Sequence, residues 1–302
     1  MTPFFATSPV PWWAFALITS LSAAGVMTVN QHYKLRPSTL MLWRGFGVAA
    51  AFLPAAMVVY WPSAPTFYLA VGLLGLLVSV ADRLALTCAG RYGAGATTRI
   101  LPLCVWVSFT LWLILKPAYR ADLFSHPGRA AGIMAALGLA VLAMLLMRKN
   151  PLSRAALLLL APAIGLMGLV DVLNKTAMDA AAENLTGGVV IYGFLLSLIA
   201  GFATLAQRYL REDKQLDLHE VFTPQARRAG AVLVAFMIAA MASKNVAMHL
   251  TPNPAYVGML ALASPLWVAV WNRLSKYQDQ TNPWAGLLFI ASAVLLIVLT
   301  RT

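Results

Sequence analysis

The chain has 302 residues, 61% of them hydrophobic and 11% charged, with a formal net charge of +12. A soluble domain carries about 25% charged residues, so this composition excludes a water-soluble globular protein, and apolar runs of bilayer-spanning length recur along the chain. In a membrane protein an excess of Lys and Arg is a topology signal, which argues against nucleic acid as a partner.

Met1 to Pro11 contains no Lys or Arg, and the apolar run from Trp12 to about Val29 is too long for a signal-peptide core. It is read as the first membrane helix, Trp12–Gln31. About nine further spans follow. The second is Ser38–Trp61, with a kink expected at Pro54. The third, Thr66–Ala89, holds Asp82 and Arg83, and the fourth, Ala94–Leu115, holds Arg99 and Pro102. The fifth, Pro127–Met147, carries Gly128-x-x-x-Gly132, a close-packing pattern for helices in lipid. The sixth, Arg154–Met178, contains Pro162, Asp171, Asn174 and Lys175. Thr186–Gln207, Ala229–His249, Pro254–Trp271 and Trp284–Leu299 complete the set. Cys88 and Cys104 fall inside apolar segments, where small apolar packing is the expected role. The mixed-charge stretch Arg208–Arg228 reads as a solvated loop.

The second half of the chain echoes the first. Ser79–Pro102 passes from Asp82 and Arg83 through a glycine-rich turn to Pro102; Ala242–Pro265 passes from Lys244 and Asn245 through a proline-rich turn to Pro265. Val26–Asn30 aligns with Val170–Asn174, Trp43–Phe46 with Ile191–Phe194, and Gly132 with Gly286. Residues 1–149 and 150–302 are therefore expected to be two repeats of five spans, inserted in opposite senses because five is odd, with a site near the midplane. The expected fold is all-α and polytopic. Lys34, Arg36, Arg91, Arg148, Lys149, Arg154, Arg208 and Arg211 fall in connections on one side, as do Lys214, Arg227, Arg228, Arg273 and Lys276. The expected location is the plasma (inner) membrane, and this bias predicts both termini outside the cytoplasm.

Ten spans as five plus five, Pro102-Leu103 and Pro265-Leu266 in the fourth and ninth, and a glycine-punctuated last span in each half resemble the drug/metabolite transporter superfamily, its EamA-like branch in particular. The resemblance implies a basket of helices around a central cavity. The chain departs from the branch in lacking the Glu often found after the fourth and ninth spans, and the connection Tyr60–Pro65 is uncharged.

A charge within a span costs about 2.5–3.5 kcal/mol on insertion scales and marks a functional position by default. Arg44, Arg83, Arg99, Lys175 and Lys244 outnumber Asp82 and Asp171, so the expected substrate bears an anionic group such as a carboxylate or phosphate. The candidate binding residues are Lys244, Asn245, Arg83, Arg99, Asn174, Lys175 and Asn30. Each has a plainer reading: Arg44, Arg99 and Lys175 near span ends can snorkel to headgroups, and Asp82 and Arg83 can serve structural ion pairs. Asp82 and Asp171 are candidates for proton coupling. His249 is better read as an interfacial polar residue at a helix end. Gly90–Gly95 lacks the preceding strand and following Gly-Lys-Ser/Thr of a phosphate loop, so it reads as a turn. His32, His126, His219 and His249 are far apart, and no HExxH, GxSxG or CxxC spacing occurs, so an enzyme is not expected, nor is any cofactor. The function expected is secondary transport of a small organic metabolite, an amino acid or another carboxylate- or phosphate-bearing solute, by alternating access. A lipid or lipid-headgroup flippase of the same fold is the alternative.

Overall fold

A computed structural model describes residues 10–92, 101–147, 154–209, 218–274 and 282–300. Helices joined by short connections make up these ranges. Proline sets many of the starts, because its missing N–H is one that the first turn leaves unpaired in any case: Pro37 opens α2 (Pro37–Leu42), Pro65 α4 (Pro65–Tyr92), Pro117 α6 (Pro117–Ser125) and Pro127 α7 (Pro127–Leu146). Pro224, Pro254 and Pro283 open α11 (Pro224–Leu250), α12 (Pro254–Ala261) and α14 (Pro283–Thr300). The remaining helices are α1 (Trp12–Tyr33), α3 (Val48–Ala56), α5 (Cys104–Leu115), α8 (Arg154–Ala180), α9 (Leu185–Tyr209), the short α10 (Leu218–Val221) and α13 (Ser264–Leu274).

Among the described residues, seven stretches are long and apolar enough to cross a membrane: Trp12–Val29, Ser38–Ala56, Pro65–Asp82, Pro127–Leu146, Ala182–Gln207, Pro224–Leu250 and Pro254–Leu274. Cys104–Leu115 and Trp284–Thr300 are apolar but shorter. Two sequence expectations are corrected here, and one connection proves helical. The second span ends at Ala56 rather than Trp61, and its irregularity is a π-helical turn at Trp43–Gly47, upstream of Pro54. The ninth is broken into α12 and α13 at Leu262–Ala263. The connection after the fourth span contains a helix, α6.

Packing divides the chain into two compact units, each taking segments from both sequence halves. The first comprises Met1–Ser79 and Leu173–Leu250. In it α1 runs antiparallel to α11, since Gln225 Nε2 donates to the Tyr33 carbonyl at one end (3.0 Å) and Thr19 Oγ1 meets Ser243 Oγ at the other (2.9 Å). The α2–α3 stretch runs antiparallel to α9: a Cβ on Gly45 would stand 2.6 Å from the Gly201 Cα, and one on Gly193 would meet the Phe52 ring. It runs parallel to α11, with Trp43 lying on Gly230 and Gly47 beside Val234. The π-helical turn seats this Trp43 ring and lets its Nε1 reach the Val221 carbonyl at 3.2 Å. It follows that α9 and α11 are antiparallel. The last two turns of α8, joined to α9 by the tight connection at Ala181–Asn184, therefore run parallel to α11.

The second unit comprises Val80–Val172 and Thr251–Thr302. Here α7 lies antiparallel to α14, with Arg129 Nε donating to the Leu299 carbonyl (2.9 Å) and the Asn282 N–H to the Met147 carbonyl (3.1 Å). Leu160, Ala163 and Ile164 of α8 form a buried cluster with Leu84, Leu103, Cys104 and Val107. Trp112 Nε1 of α5 donates to the Pro252 carbonyl at 2.8 Å.

Candidate functional site

Among the described residues of the first unit, buried polar groups gather where the C-terminal turns of α8 run beside those of α11. Lys175 is only 5% exposed. Its ammonium meets Asp179 Oδ1, one turn on, at 2.5 Å, and the His249 carbonyl of α11 at 3.2 Å. That carbonyl belongs to the last turn of α11, where backbone oxygens lack helical partners and a cation is favoured by the helix dipole. Lys175 thus caps one helix from another while Asp179 neutralises it.

Asn174 and Asn245 complete the layer. Met178 and Asn174 share a face of α8, one turn apart, as His249 and Asn245 share a face of α11. The His249 ring lies beside the Met178 carbonyl and within electrostatic reach of Lys175 and Asp179. The two helix segments are parallel, so stepping back one turn on each, about 6 Å, brings Asn174 opposite Asn245. Asn245 is 1% exposed and Asn174 2%. Both side-chain polar atoms of Asn245, Asn174 Oδ1 and His249 Nδ1 are buried with no hydrogen-bond partner. An unmade hydrogen bond at a buried polar atom costs about 1–3 kcal/mol, so the layer carries unspent polar capacity. Thr19 Oγ1 and Ser243 Oγ, one helix over, are mutually satisfied.

The second unit has its own polar group. Tyr119 of α6 and Tyr256 of α12 share a hydrogen bond of 2.6 Å. Asn253 caps α12 by accepting from the Ala255 N–H at 2.9 Å. Burial pushes the Tyr119 phenol up, opposed by its contacts with Tyr256 and Asn253. Asp171 is buried in this unit, with its Oδ2 3.0 Å from where a Cβ on Gly258 would stand.

Of the residues singled out in the sequence, Asn174, Lys175 and Asn245 are thus brought together. Asp82 and Lys244 are half-buried, and each is engaged in an interaction. Arg99 and the side chains of Asn30 and Arg83 lie outside the described residues. Sequence reasoning missed Asp179 and underweighted His249. The Lys175–Asp179 spacing of one helical turn was the available signal. Among the described residues no three His, Cys, Asp or Glu side chains converge as a metal site.

No protein-family model matches the chain, and no curated protein matches it. The structure is that of an all-helical, polytopic integral membrane protein with about seven candidate spans, consistent with a transporter.

Proposed function

We propose that this protein is a secondary transporter that moves a small polar organic metabolite by alternating access, built as two inverted five-span repeats like those of the drug/metabolite transporter superfamily. The observation that carries the reading is the Asn174–Asn245 layer: buried hydrogen-bonding groups held without partners, those of Asn245 inside a helix long and apolar enough to cross a membrane. Structural polar groups in membrane helices normally find one another, as Thr19 and Ser243 do. The inverted repeat is supported by packing in the first unit. Gly193 is the second-half counterpart of Gly45, and its approach to Phe52 repeats in the opposite sense the approach of Gly45 to Gly201.

Asp179 changes the charge argument. With Lys175 already matched, the layer supplies no uncommitted cation of its own, so the expectation of an anionic substrate loses its nearest support. The solute head favoured here is neutral or zwitterionic.

The test is retention in proteoliposomes loaded with a water-soluble cell extract. After dilution, mass spectrometry should show selective loss of some small polar solutes, absent with Asn245→Leu. Retention equal to that of protein-free vesicles would refute transport of soluble metabolites. Scrambling of a fluorescent phospholipid in the same vesicles would favour the flippase alternative.

A further inference from the structure

We infer that the Asn174–Asn245 layer recognises a primary carboxamide or an equivalent planar edge carrying a hydrogen-bond donor beside an acceptor. This deepens the transport reading and rests on it for its physiological meaning, although binding itself is testable separately. The argument is an inventory of unused capacity. Asn245 offers one acceptor oxygen and one donor nitrogen, both without partners, side by side on a rigid amide plane. Asn174 adds one more acceptor, Oδ1, from the facing helix. A primary carboxamide supplies the complement. Its carbonyl accepts from Asn245 Nδ2, one N–H donates to Asn245 Oδ1, and the second N–H donates to Asn174 Oδ1.

A carboxylate of the same shape fails twice, because it has no donor for either oxygen and carries a charge into a layer whose cation is already neutralised by Asp179. An ammonium supplies donors but leaves Asn245 Nδ2 unmet. A simple alcohol can donate to one oxygen and accept from Asn245 Nδ2, but it leaves the second oxygen unmet. Both asparagines are closed from solvent in this conformation, so a ligand reaches them only when α8 and α11 part, as alternating access requires. The same edge occurs on ureides, lactams and nucleobases, which share the chemistry and differ in bulk.

The experiment uses the full-length protein in nanodiscs and four isosteric probes: benzamide, benzoate, benzamidinium and N,N-dimethylbenzamide. Benzamide should bind and raise the melting temperature, whereas benzoate and the dimethyl compound, which lacks N–H donors, should not. Each hydrogen bond lost should weaken benzamide up to about tenfold, so Asn174→Leu should reduce its affinity by that factor.

Asn245→Asp replaces the donor by an acceptor and should exchange specificity, losing benzamide and gaining benzamidinium. A gain of binding cannot come from misfolding, which protects the test against an unstable variant. Benzoate binding as tightly as benzamide, no probe binding, or benzamide binding unchanged in Asn245→Asp would each overturn the assignment. Flux separates the two claims. Benzamide binding without amide flux would leave the site and sink the transporter, whereas flux of other solutes without amide binding would do the reverse.

Discussion

Lys175 and Asp179 form a pair in which the two partners are buried unequally, and this predicts an asymmetry. The side chain of Lys175 is 7% exposed and that of Asp179 35%. Replacing Lys175 by Met removes its hydrogen bond to the His249 carbonyl and leaves a carboxylate that water can reach. The expected loss is about 1–2 kcal/mol, discounted for that exposure. Replacing Asp179 by Asn removes a counter-charge from the buried ammonium, and breaking a buried pair in this way costs about 3–5 kcal/mol. The double variant Lys175→Met with Asp179→Asn buries no charge, so it should return close to the Lys175→Met value rather than to the sum of the two losses. Equilibrium unfolding in mixed detergent and SDS micelles measures all three. If Lys175→Met proved the costlier single change, or the two losses simply added, the pair would not be holding the ends of α8 and α11 together.

Other outcomes follow from single contacts. Gly45→Leu pushes a side chain into the Gly201 backbone, where neither helix can yield cheaply, and should cost at least about 1–3 kcal/mol. Gly72→Ala, which meets nothing within 4 Å, should be neutral or stabilising by about 0.5–1 kcal/mol in the same unfolding assay. A double-mutant cycle of Thr19→Val and Ser243→Ala should return a coupling of about 0.6 kcal/mol, the usual worth of an interhelical hydrogen bond in lipid. Tyr119 is held neutral in the folded protein. Its contribution is therefore complete below its ordinary value of 10.0 and is lost as pH rises above it, so Tyr119→Phe should flatten the alkaline limb of a stability–pH profile.

Hydropathy and proline placement made most of the helices legible. The fifth span was placed at Pro127–Met147 and is found at Pro127–Leu146, because Pro127 opens it and the apolar run closes it. Where the sequence is uniformly apolar, hydropathy has nothing to report, and the break between Ala261 and Ser264 within Gly258–Pro265 went unread. The π-helical turn at Trp43–Gly47 was equally invisible, since it serves a ring seated on Gly230 of a helix far along the chain. At the site, Asn174, Lys175 and Asn245 stood out because polar residues in spans are rare. Asp179 did not, lying one residue past the boundary drawn at Met178. That single residue matches Lys175 and narrows the cation excess on which the anionic substrate rested, from five against two to five against three. Intrusive side chains can be seen in a sequence, but which partner neutralises which charge is a matter of packing.

The neutrality of the layer leads to a final prediction. Moving one elementary charge through the membrane field is worth about 2.3 kcal/mol per 100 mV, so a binding layer with a net charge would make its reorientation strongly voltage-dependent. The net charge of +12 is a property of the whole chain. Lys175 moves with Asp179, on the same helix and in contact, and the two asparagines are uncharged. Rocking of this layer with a carboxamide bound should therefore carry no net charge. Benzamide flux into proteoliposomes should be the same whether valinomycin and a potassium gradient impose a negative, zero or positive interior potential. A flux that rose or fell several-fold with potential would place an uncompensated charge in the moving parts. Lys244 would then be the first residue to neutralise, because it neighbours Asn245 on α11 and is half-buried. If Lys244→Met abolished the voltage dependence, the substrate layer would have to be redrawn to include that cation, and the anionic solute would return as the better reading.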